Sequence, residues 1–206
     1  MNNFGDSKKL IEKFRQIKKQ RQRKDAAIKR TALVTLGASL IRVFKEKTKH
    51  DILDALISVP IEDLRKINNE SEFRAFYKHQ LNRIEKAVLR KNARNRTLGK
   101  GLKWGHCTKI LSIFIREVVL RSRICSNKEV KRLVPFLYVP LDSKVLRKLR
   151  DCELSEVPRR IKDLSTAGQF WNLQELIGRA AKEAGTFAIY LDDVWVEGRS
   201  LNGQKR

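Results

Sequence analysis

Apolar residues recur along most of this chain at intervals of three and four, the spacing of one face of an α-helix. Leu10, Ile11, Phe14 and Ile17 begin the series, and from Ala26 it continues through Ile28, Ala32, Leu33, Leu36, Leu40, Ile41 and Phe44. The spacing predicts a basic helix opening at Ser7 and an amphipathic helix over 26–44 laid against a core. A short helical segment is expected at 51–57. Pro60 sits where a first helical turn tolerates proline, with Glu62 and Asp63 near the positive end of the dipole of a short helix ending near Ile67. Asn69 or Ser71 caps a longer helix whose stripe is Phe73, Phe76, Tyr77, Leu81, Ile84, Val88 and Leu89.

Residues 95–103, with two glycines, read as a loop. The next helix spans 105–121 and buries Ile110, Leu111, Ile113, Phe114, Val118 and Val119. An irregular connection with at most one helical turn is expected over 126–140. A helix then starts at Asp142 or Ser143, and a last one covers 169–184. Residues 186–196 are rich in β-branched and aromatic types and predict an extended segment or an isolated strand. One strand makes no sheet, so the fold class is all-α.

At 206 residues the chain fits one core. Its organisation reads as a basic N-terminal helix over 1–30 and a helical domain over 31–206. Forty-six Lys plus Arg against 23 Asp plus Glu leave a net charge of +23, far beyond what solubility needs, and name a polyanion as partner. Residues 8–30 hold eleven basic residues against Glu12 and Asp25, and 86–109 hold eight with no acidic residue. Such runs either clamp phosphates or stay solvated. The apolar runs around 32–44 and 110–115 are broken by Arg and Ser, short of the roughly 18 to 20 residues a membrane-spanning helix needs. The first six residues lack the pattern of a secretory signal, so a cytoplasmic location is expected. Cys107, Cys125 and Cys152 form no Cys-x-x-Cys pair, and the three histidines do not cluster, which predicts free thiols, no metal and no cofactor.

Two segments carry candidate chemistry. Leu102-Lys103-Trp104-Gly105-His106-Cys107-Thr108-Lys109 ends the basic loop and opens an apolar helix, a turn able to offer backbone N–H groups to a phosphate. Val139-Pro140-Leu141-Asp142-Ser143-Lys144-Val145-Leu146-Arg147 places a carboxylate at the start of a second helix. Read alone, Lys109 is equally a phosphate-binding lysine and Asp142 an N-cap.

Together the two segments resemble the helix-hairpin-helix DNA glycosylase superfamily, especially its oxoguanine glycosylase branch. Gly105 falls on the first hairpin glycine, Thr108-Lys109 on the pair holding the catalytic lysine, and Pro140-Leu141-Asp142 on the catalytic aspartate element, with Arg147 at the family's spacing. Cys107 replaces the second hairpin glycine, Trp104 the proline, and Lys144 a common histidine; the link from Lys109 to Asp142 is longer than in familiar members. The resemblance implies a multi-helix glycosylase fold and excision of a damaged or modified base that has been flipped from duplex DNA. It makes Lys109 and Asp142 the catalytic groups and Lys100, Lys103, Gly105, Thr108, Lys144 and Arg147 DNA contacts. Trp104, His106, Phe136, Tyr138 and Trp171 are candidates for a base pocket, each with a place in the core as its plain alternative. A monomer, an abasic lyase step through Lys109, and a modified base of viral DNA as target are further expectations. The competing readings are a non-catalytic DNA- or RNA-binding protein that keeps the fold and basic surface, and a nucleic-acid-targeting toxin. Asp192, Asp193 and Trp195 have no assigned chemistry.

Overall fold

The computed structural model describes residues 4–37, 46–94, 104–152 and 157–191, with side chains for 12–20, 22–37, 49–87, 104–152 and 157–191. Among the described residues there are eight α-helices and no strand: α1 (Phe4–Thr35), α2 (Glu46–Ile57), α3 (Ile61–Leu64), α4 (Glu70–Arg94), α5 (Trp104–Leu120), α6 (Asn127–Leu133), α7 (Ser143–Asp151) and α8 (Ala167–Glu183). Single 3₁₀ turns follow at Val134–Phe136, Ile161–Asp163 and Ala188–Tyr190. The class is all-α, as the periodicity predicts.

α5 is the central helix because its sequence is apolar nearly all round: Ile110, Leu111, Phe114, Ile115, Val118 and Val119 are all buried. Such a helix needs neighbours on every side. α1, α4, α6 and the 161–163 turn supply them, and α2 fills the space between α1 and α4.

α1 has two halves of different character. Residues 12–20 are exposed, whereas Thr31, Ala32, Thr35 and Leu36 at its end are buried. The helix runs through residue 30 without a break, so the basic segment and the domain share one continuous element. Asn69 caps α4 by accepting from the Glu72 N–H at 2.9 Å, as the sequence suggests.

Three expectations are corrected. The helix expected over 26–44 ends at Thr35, where the Gly37 N–H turns back to the Val34 carbonyl at 3.0 Å. Residues 126–140 hold a seven-residue helix, α6, because Ser126 and Glu129 form a reciprocal capping box: each accepts from the other's backbone N–H. Residues 186–191 form no strand. Their polar backbone groups find local partners in the turn at Ala188–Tyr190, which packs against α8 and the turn at Val134–Phe136. Residues 38–45, the loop 95–103 with Lys100 and Lys103, the side chains of Val88 and Leu89, and Asp192, Asp193 and Trp195 lie outside the described residues. No described helix is long and apolar enough to cross a membrane.

Candidate active site

Lys109 sits in the second turn of α5, and Asp142 immediately precedes α7. Although 33 residues separate them in sequence, Lys109 Nζ lies 3.6 Å from Asp142 Oδ2. The lysine side chain is 18% exposed and the carboxylate 32%, so the pair is at the edge of the core and open to solvent on one side.

The two carboxylate oxygens do different jobs. Oδ1 accepts from the Lys144 and Val145 N–H groups at 2.8 and 2.9 Å, which makes Asp142 the N-cap of α7. That leaves Oδ2 directed at the amine. The cap reading and the catalytic reading of Asp142 are therefore compatible, since fixing one oxygen on the helix start aims the other. α7 itself is strongly amphipathic: Val145, Leu146 and Leu149 are buried, and Lys144, Arg147 and Lys148 are exposed.

The strand-like run before Asp142 is held by a residue that sequence reasoning missed. Gln174 on α8 accepts from the Val139 N–H at 2.9 Å and donates to the Val139 carbonyl at 2.8 Å. Both partners are buried, and one amide side chain thus does what a neighbouring strand would do. The signal was present: Gln174 interrupts the apolar face of Phe170, Trp171, Leu173 and Ile177. Gln174→Leu should leave two buried backbone groups without partners and lower stability by about 2–4 kcal/mol. Urea unfolding checks this, and an unchanged midpoint would sink the clamp.

Lys109 is fixed from the other side. The Tyr77 hydroxyl of α4 donates to the Thr108 carbonyl at 2.9 Å and lies 2.7 Å from Ser112 Oγ, tying the first turns of α5 to α4. Full burial pushes the Tyr77 phenol well above its ordinary range, so it stays a neutral donor. Burial likewise pushes the Cys107 thiol up to about 12 and leaves it inert as a nucleophile.

Several predicted site residues are placed elsewhere than expected. Gly105 belongs to the first turn of α5; its N–H donates to the Leu164 carbonyl at 3.1 Å and is not turned to a phosphate. Its lack of a side chain serves packing, because a Cβ there would stand 2.3 Å from the Ile161 carbonyl oxygen. Thr108 is 0% exposed and donates its hydroxyl to the Gly105 carbonyl, so it has no access to DNA. Lys144 and Arg147 are exposed, as a DNA contact requires.

The aromatic candidates are mainly structural. Phe136, Tyr138, Trp171 and Trp104 join Phe73, Tyr77 and Phe170 in one cluster of edge-on and stacked rings, with Tyr77 and Phe170 stacked at 5.6 Å. The Trp171 face is covered by the Arg74 guanidinium at 4.7 Å. Tyr138 and Trp171 do reach a cleft of about 650 Å³ between α4 and α8, yet neither Lys109 nor Asp142 lines it. His106 is 6% exposed and turned into the fold. Among the described residues, no group of three His, Cys, Asp or Glu side chains could hold a metal ion.

Comparison with known proteins found no matching family model and no similar curated protein or solved structure.

Proposed function

We propose that the protein is a DNA glycosylase that excises a modified or damaged base from duplex DNA. The observation that carries this reading is the approach of Lys109 Nζ to Asp142 Oδ2, at 3.6 Å, between two segments whose motifs resemble those of the helix-hairpin-helix glycosylases. The net charge of +23 and the exposed Lys144, Arg147 and Lys148 on the helix that Asp142 caps suit a DNA backbone.

In the proposed reaction the N-glycosidic bond breaks and its electron pair leaves with the base. Asp142 stabilises the positive charge that develops on the sugar. Two ends of the reaction are open to Lys109. As a neutral amine, its proton released to solvent so that Asp142 keeps its charge, it attacks C1′ as the base departs and goes on to a Schiff base from which strand cleavage follows. As an ammonium it leaves the attack to water, and only the base is lost. The altered hairpin, with Cys107 and Trp104 where the family has glycine and proline, favours an unusual base, and the modified bases of viral DNA are the class proposed.

The deciding experiment incubates the protein with genomic DNAs of differing base modification and identifies freed bases by mass spectrometry. Release from at least one modified DNA is the expected result; no release from any substrate would overturn the reading. Borohydride reduction then assigns Lys109. A covalent protein–DNA adduct is expected with wild type and none with Lys109→Gln, and an equal adduct in both would remove Lys109 from the chemistry.

A further inference from the structure

The C-terminal end of α5 and the second half of α1 enclose a cleft of about 610 Å³ lined by Arg23, Arg30, Arg121 and Arg123 over a floor that includes Ala26, Ala27 and Thr31. Arg23 and Arg30 stand two helical turns apart on one face of α1 and form one wall. Arg121 and Arg123 form the opposite wall. Among the described residues the only carboxylate lining it is Glu117, which is buried and already engaged, 3.2 Å from Arg116 Nη2 and 3.2 Å from Arg121 Nη1. Four arginines thus line the cleft with one carboxylate, which Arg116 and Arg121 already match.

Arg123 adds a second, independent observation. Its φ is +59°, the left-handed region that a turn after a helix ordinarily gives to glycine or asparagine, and it is the one described non-glycine residue there. An arginine kept in that conformation costs stability, which points to a use for its side chain.

We propose that this cleft is a second DNA-backbone site, which holds phosphates of the duplex away from the Lys109–Asp142 pair and contributes to binding, not to the chemistry. It rests on the reading that duplex DNA is the partner. Arginine forks match phosphate oxygens, and guanidiniums on two facing walls suit a narrow anionic chain. A bilayer surface is flat and does not enter a cleft. Exposed basic residues continue outward along α1, with Lys19 on the same face as Arg23 and Arg30 and Lys13, Arg15 and Lys18 around the helix, about 27 Å of helix from residue 12 to residue 30, which suits a polyanion longer than the cleft. Arg121, the first residue after α5, lies twelve residues beyond Lys109, about 18 Å along the helix axis, which makes the two sites separate.

The test uses the full chain and an unmodified fluorescent duplex, with affinity measured by anisotropy over a range of salt. Arg121→Gln/Arg123→Gln and Arg23→Gln/Arg30→Gln should each weaken binding and flatten the log–log salt slope by about 1.8, the value for two phosphates left without a basic partner. Lys128→Gln/Lys131→Gln, exposed on α6, should leave the slope unchanged. Arg123→Gly gives a sign test: affinity falls while the thermal midpoint stays at or above that of wild type, since glycine accepts the positive φ. Unchanged slopes in both cleft pairs, an equal loss in the α6 pair, or an Arg123→Gly protein that binds as wild type does would each overturn the proposal. A wild type that binds no duplex at any salt would instead overturn the parent reading.

Discussion

Asp142→Asn is expected to cut base release by roughly 100-fold or more while leaving the fold as stable as before. The substitution separates the two duties of this side chain. Asparagine is as good an N-cap as aspartate, so the bonds to the Lys144 and Val145 N–H groups persist and stability should change by less than about 0.5 kcal/mol. What disappears is the negative charge 3.6 Å from Lys109 Nζ, which the proposed reaction needs to stabilise the sugar cation. Asp142→Ala loses both duties, so it should also cost about 1 kcal/mol of stability. Single-turnover base release, measured beside thermal unfolding of the same preparations, checks the pair of outcomes. Full activity in Asp142→Asn would end the catalytic assignment and leave Asp142 as a cap alone.

The largest effect on the fold is expected at Gly105→Ala. Alanine is favoured over glycine in a helix by up to about 1 kcal/mol. Here that gain loses to a clash, since the new Cβ would stand 2.3 Å from the Ile161 carbonyl and 3.0 Å from Leu164 Cβ. Relief requires the 161–164 segment to move away, which breaks the bond from the Gly105 N–H to the Leu164 carbonyl. A net loss of about 3 kcal/mol is expected, lowering the thermal midpoint by roughly 6–12 °C. Gly178→Ala, where a Cβ would meet nothing within 4 Å, is the control and should stabilise by about 0.5–1 kcal/mol. A Gly105→Ala protein as stable as wild type would mean that the close approach has no energetic weight.

Periodicity carries most of the fold. A three-four repeat says which face of a helix is buried: Phe73, Tyr77, Leu81 and Ile84 of α4 and Ile110, Leu111, Phe114, Val118 and Val119 of α5 are buried as that rule demands, while Phe76 and Ile113 are half-buried at the edges of their stripes. It misses α6 because seven residues are too few to display a repeat; the Ser126-x-x-Glu129 capping box is the readable signal there. The site is less legible, for a physical reason. Periodicity assigns faces but not which faces meet, so the approach of Lys109 to Asp142 has only the motif resemblance to suggest it. Gly105 reads from its neighbours as a phosphate-facing glycine, yet its role depends on a carbonyl at position 161, which no local pattern displays. Phe136, Tyr138 and Trp171 suit a base pocket by residue type alone, and in the fold their rings largely satisfy one another. Gln174 and Glu117 are visible as polar residues on apolar helix faces, and such interruptions prove the better guide to residues with a particular task.

Gln174 also sets unequal tolerances to change on the two sides of its contact. It grips the main chain of Val139 and not its side chain, so position 139 can drift among isoleucine, threonine or other residues that accept an extended backbone. Position 174 has no such latitude: an amide must both give and accept a hydrogen bond, and glutamate or methionine of similar length supplies only part of that. In relatives of this chain, the residue that holds the segment leading to Asp142 would then be recognised on α8, far from the motif that contains the aspartate.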